Sequence, residues 1–182
     1  ADGSARLRRL RGLLSEGEEG TRGLALVQPF GDGVVVGQWR AAELDLDAAE
    51  RTDVAELVGV PAGRFVLVND DDLTYCSLRL DPASLETLTS RIGDIAEALP
   101  RTLAWSAAWE MTRQAEMRAR DFVELVRHGI AGESEIGVVQ RVLLQATTAI
   151  ESYADPEWAA TTGRPGFSSR MLELARAAEP GA

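Results

Sequence analysis

Apolar and polar residues change rhythm once along this chain, at Asp81. Before it, apolar residues come in short runs or strict alternation; after it, they recur every three to four positions. Leu24–Phe30 and Val34–Trp39 are apolar runs flanking Gly31-Asp32-Gly33, a connection of the hairpin type. Glu43-Leu44-Asp45-Leu46-Asp47 alternates as a strand with one wet face should, and Tyr75-Cys76-Ser77-Leu78-Arg79-Leu80 alternates again. Phe65–Val68 is a compact apolar run of strand length. Ala5–Leu14 reads both ways, with helical spacing at Leu7, Leu10, Leu13 and Leu14 but an isolated position between turns. Several short strands with turns between them predict a small antiparallel β-sandwich over residues 1–80.

Residues 81–182 predict helices. Asp81 caps the first, with Pro82 where a missing N–H is harmless; Leu85, Leu88 and Ile92 share its face and Gly93 ends it. From Leu99 to Arg113 the chain is apolar nearly all round, which predicts a helix buried between others. Asp121 and Glu124 form a capping-box-like start, followed by a stripe of Phe122, Val126 and Ile130. Ile136, Val139, Leu143, Ala146, Thr147, Ile150 and Tyr153 trace one face of a long helix from Glu135 to Tyr153. Asp155-Pro156 repeats the cap-plus-proline start with Gly163 as its stop, and Ser168 opens a last helix carrying Met171, Leu172 and Ala175. Short connections make consecutive helices antiparallel neighbours. The expected fold is therefore all-β then all-α: a sandwich, then a stack of helical hairpins of the HEAT or armadillo superhelix kind, without a strict sequence repeat.

Composition narrows the function. A formal charge of −10 argues against nucleic acid, whose binding rests on neutralising phosphates. No run approaches the ~18 apolar residues of a membrane helix, so no membrane partner is expected. The single Cys76 permits no internal disulfide and fits a cytoplasmic location. All basic side chains are arginine, a bias of coding composition that carries no function.

Candidate chemistry is sparse. Asn69-Asp70-Asp71-Asp72 offers oxygen ligands for a hard cation, but it lacks the spacing of a calcium loop and suits a side-chain-capped turn better. Cys76 and His128 invite a nucleophile–base pairing; a buried cysteine and a histidine complementing a helix C-terminus explain them more simply. Trp105 and Trp109, four apart, share a helix face and suit a core more than a ligand platform, and Trp39 and Trp158 make no stronger case. No phosphate loop, G-x-S-x-G elbow or C-x-x-C pair is present. No residue is assigned a catalytic, cofactor-binding or metal-binding role.

The stretch Val66–Asp81, V-L-V-N-D-D-D-L-T-Y-C-S-L-R-L-D, resembles the end of the β-sandwich domain of the zinc aminopeptidase N family, where an alternating strand ending in Asp precedes a helical domain. Leu99–Arg113 looks like the first long helix of that domain, and Arg118–Val123 like the start of the next. The resemblance spans roughly Arg64 to Ile130. It implies a C-terminal part of an enzyme that removes N-terminal amino acids from peptides with zinc held by an H-E-x-x-H helix. That motif needs two histidines and the chain has one, so neither zinc nor the G-x-M-E-N substrate segment can be placed here. The implied partners are the catalytic domain of the same polypeptide and the peptides of the whole enzyme, with the helical superhelix arching over a substrate chamber. The competing reading is a stand-alone helical-repeat module that presents a groove to a protein partner.

The family's pattern continues beyond this chain at both ends, which predicts unpartnered sheet edge and apolar surface, and self-association of the isolated chain. Light scattering at high concentration should then show species above monomer mass; a monodisperse monomer would count against it.

Overall fold

In the computed structural model the described residues are 21–28, 40–46, 65–68, 72 and 77–178. Three strands precede the helices: β1 (Thr21–Gln28), β2 (Arg40–Leu46) and β3 (Phe65–Val68). They form one antiparallel sheet in the order β2-β1-β3. β1 meets β2 in the register Leu24↔Glu43 and meets β3 in the register Leu26↔Leu67. The helices are α1 (Pro82–Arg91), α2 (Ala98–Arg113), α3 (Ala119–Gly129), α4 (Ile136–Thr148), the short α5 (Pro156–Trp158) and α6 (Arg164–Ala177). The chain divides into two compact units, Ala1–Leu88 and Thr89–Ala182.

The expected β-sandwich is overturned. Among the described residues there is a single three-stranded sheet with no second sheet facing it, and from Pro82 onward the chain is helical. Two observations explain the error. Ser77–Leu80 keeps alternating burial but lies in no strand, because alternation records one covered side of an extended chain and not a ladder. The outer edge of β3 also meets a helix: the Val66 N–H donates to Ser84 Oγ of α1 at 2.8 Å. That bond covers part of an edge on which another strand would otherwise pair. The runs Ala5–Leu14 and Val34–Trp39 and the Gly31-Asp32-Gly33 connection lie outside the described residues.

The Asp81 cap forms as its residue type dictates. Asp81 Oδ1 accepts the backbone N–H groups of Ala83 (3.0 Å) and Ser84 (3.2 Å), and Ser84 Oγ bonds Oδ2. One serine thus serves the strand edge and the helix cap together. The buried positions of α1 are Ser84 and Leu88, with Ile92 following one turn on; Leu85 is only half-buried.

The second unit is helical throughout, as the second half of the sequence predicts, and α3 packs against α2, α4 and α6. α2 pairs with α3, and α4 leads into α5 and α6; α2 touches α4 while α3 touches α6. α3 supplies the centre, where Phe122, Val123, Leu125 and Val126 have no exposed surface. Helix boundaries differ from expectation in four places, one being the last helix, which opens at Arg164 and not at Ser168. α3 starts at Ala119 rather than at a capping box; Asp121 lies in its first turn, paired with Arg118 Nε at 2.7 Å. α4 ends in a wide π-type turn, Ala149–Tyr153, and buries Val142, Ala146, Ala149 and Ile150, leaving Ile136 75% and Leu144 68% exposed. Gly163 does not stop a helix: a second wide turn, Ala159–Gly163, leads straight into α6. Pro165 cannot donate and its ring crowds the carbonyl four residues back, and a wide turn just before it makes room. Glycine is needed at 163 for a different reason: a Cβ there would lie 2.6 Å from Cζ3 of Trp158.

A similar close approach fixes Gly129 at the end of α3. A Cβ there would collide with Ile92 Cγ2 and lie 3.0 Å from Cη2 of Trp105, both on buried side chains. Gly129→Ala should therefore destabilise the fold by roughly 1–3 kcal/mol through overpacking, against the usual gain for alanine in a helix. Urea unfolding measures this; an unchanged or raised midpoint would show that the site has slack.

Candidate functional site

The polar centre of the helical unit is a pair that the sequence did not single out, Arg101 on α2 and Glu133 in the α3–α4 connection. Their side chains are 7% and 1% exposed. Arg101 grips the carboxylate with two parallel bonds, Nε to Oε2 and Nη2 to Oε1, each 2.9 Å. Its Nη1 reaches back to the carbonyls of Ile95 (2.7 Å) and Ala96 (3.2 Å). Trp105 Nε1 donates to Glu133 Oε2 at 3.1 Å, and the backbone N–H groups of Ser134 and Glu135 donate to Oε1. The carboxylate thus binds the N–H groups just ahead of α4, at a helix start where anions are favoured, while the guanidinium satisfies the carbonyls that lead into α2.

Burial alone would push the Glu133 carboxyl up. The hydrogen bond from Arg101, that from the Glu135 backbone, the guanidinium charge and the Trp105 indole together outweigh it and hold the group down at about 2. The hydrogen bond to Glu133 raises Arg101 against its own desolvation. Both groups stay charged at neutral pH, so the pair holds structure and moves no proton.

Two clefts open around this frame. One, of about 400 Å³, lies between α2 and α4 and is lined by Leu99, Thr102, Trp105, Val138, Arg141 and Val142, among others. The other, of about 340 Å³, lies between the α2–α3 connection and the Tyr153–Trp158 elbow. The first includes Ser106 and Glu135 in its lining, but no hydrogen bond pairs them.

Of the residues weighed from sequence, Asp72, Trp105, Trp109, His128 and Trp158 are among the described ones. Trp105 is 2% exposed and bonded to Glu133, whereas Trp109 belongs to an aromatic cluster, its ring 5.4 Å from Phe122 and 5.9 Å from Tyr153. The two do not make a shared platform. His128 is exposed in the last turn of α3, its Nδ1 2.8 Å from the Glu124 carbonyl oxygen. Asp72 is exposed with φ 54°, the left-handed turn conformation that aspartate tolerates. Asn69, Asp70, Asp71, Cys76 and Trp39 lie outside the described residues. Arg101 and Glu133 were legible only as an Arg and a Glu 32 positions apart; a charged residue inside an all-apolar helix was the signal available.

The match with known proteins covers β3 and the helices. Residues 65–179 fit the model of the ERAP1-like C-terminal domain. The chain belongs to that family. It is 46% identical over 143 residues to the aminopeptidase N of Streptomyces lividans, a match that covers 76% of this chain and 16% of that protein. The chain thus corresponds to a C-terminal region of an aminopeptidase N and spans about a sixth of that relative's length. The likeness expected to fade after Ile130 runs on through α6.

Among the described residues no three His, Cys, Asp or Glu side chains are grouped to hold a metal, and both oxygens of Glu133 are engaged. No described helix is long and apolar enough to cross a membrane.

Two outcomes should follow for the buried pair. Glu133→Gln, which leaves Arg101 facing a neutral amide, should cost about 3–5 kcal/mol in chemical denaturation. The folded carboxyl lies below its unfolded value, so its stabilisation is fully present above the ordinary carboxylate range and is lost as pH falls toward about 2. Thermal melts from pH 6 to pH 2 should show that loss in the native sequence and a flatter profile in Glu133→Gln; parallel profiles would mean that Glu133 does not carry it.

Proposed function

We propose that this chain is a non-catalytic C-terminal piece of a zinc-dependent aminopeptidase N, lying beside the catalytic domain of the same polypeptide and helping to wall and cover the chamber that receives peptides. The observation that carries this reading is the 46% identity to an aminopeptidase N over 143 residues, most of this chain. Stacked hairpins suit such a wall. Each hairpin packs on its neighbour, so the stack extends without a central active site, and a curved stack selects substrates by size without chemistry of its own. The buried Arg101–Glu133 pair supports that role by locking α2 to the start of α4.

In this reading residues 1–80 are a sheet-bearing linker and residues 81–182 begin the helical domain. Zinc and the groups that bind the substrate's amino terminus belong to the catalytic domain. The single histidine supports this division, since an H-E-x-x-H helix cannot be written with one. The parent enzyme acts on peptides in the cytoplasm, a location that one cysteine in 182 residues suits.

An assay of aminoacyl chromogenic amides with zinc added should show no turnover by this chain. Steady hydrolysis that survives repurification and is abolished by chelation would overturn the proposal.

A further inference from the structure

The cleft between the α2–α3 connection and the Tyr153–Trp158 elbow carries a charge opposite to that of the chain. Arg113, Arg118 and Arg120 line it, against one carboxylate, Asp155, in a protein whose formal charge is −10. Asp155 is already committed, since its Oδ1 caps α5 by accepting the Trp158 N–H at 2.9 Å. The arginines are less so. Arg113 gives Nη1 to Glu110 at 2.9 Å and Arg118 gives Nε to Asp121 at 2.7 Å, one nitrogen each. Arg120 is exposed and makes no ion pair among the described residues, so guanidinium N–H groups remain for an incoming anion.

The opposite wall is aromatic and held in place. Tyr153 rests on Trp109, with ring centres 5.9 Å apart, and Trp109 rests on Phe122. Trp158 lies on the bare backbone of Gly163, where no side chain would fit. Rigid aromatic faces beside arginine forks match a ligand with two parts, a flat apolar body and a planar anion. We propose that this cleft binds an organic carboxylate carried on a flat apolar group. The site is separate from the aminopeptidase reading and would stand without it.

Benzoate is the probe, titrated into the full 182-residue chain with the Trp158 indole N–H followed by NMR and assigned by its loss in Trp158→Phe. Binding should shift that signal saturably and weaken as salt is raised. Arg120→Ala, at an exposed position where folding is not at risk, should weaken benzoate by about tenfold, as loss of a charge-assisted bond implies. Arg120→Lys should recover only part of it, because the fork is lost. Benzyl alcohol and inorganic phosphate, each lacking one half of the ligand, should shift Trp158 far less. Equal response to benzyl alcohol, equal response to phosphate, a shift that never saturates, or an Arg120→Ala titration identical to the native one would each overturn the assignment.

Discussion

A single buried charge pair organises the helical unit. Arg101 and Glu133 come from segments that the chain separates by three helical turns of α2, the whole of α3 and the turn that follows it. Two desolvated ions are tolerated inside a protein only if almost every donor and acceptor finds a partner. Here that condition is met by the carbonyls of Ile95 and Ala96, the Trp105 indole and the last backbone N–H groups of the α3–α4 connection. Satisfying the pair therefore fixes where α2 begins, where α4 begins and how Trp105 turns. Apolar contacts alone would leave these helices freer to slide, since hydrophobic attraction has no direction.

Around that frame the sequence uses glycine and serine as spacers where elements approach closely. Gly129 lets the end of α3 settle against Ile92 and Trp105, and Gly163 lets a wide helical turn lie against the Trp158 ring. Ser84 is small enough to be buried and polar enough to link the β3 edge to the Asp81 cap. These positions explain how helices of modest length reach close packing.

Much of this was legible beforehand, and what was missed has physical causes. The change of period at Asp81, the proline-first starts at Pro82 and Pro156, and the all-round apolar α2 are local signals, and the structure honours them. Capping-box residues at Asp121 and Glu124 misled because a capping pattern is also a good pattern for a first-turn ion pair, which is what Asp121 makes with Arg118. On α4 the expected face held at Ala146 and Ile150, which are buried, but not at Ile136, which is 75% exposed, while Val142, off that face, is buried. The sandwich misled because alternation is read from one chain, whereas a sheet needs an agreed partner for every strand.

By itself, the sequence determined the change from extended to helical chain, the helix starts at Pro82 and Pro156, and that no H-E-x-x-H motif can be written in these 182 residues, because each depends on residue type at short spacing or on a simple count. Only the tertiary structure decided that the polar heart of the helical unit is Arg101 with Glu133, that one sheet edge is met by a serine on a helix, and that three arginines converge on an aromatic cleft. Those outcomes join residues tens of positions apart. Their energy comes from desolvation and geometry that exist only once the chain has closed on itself.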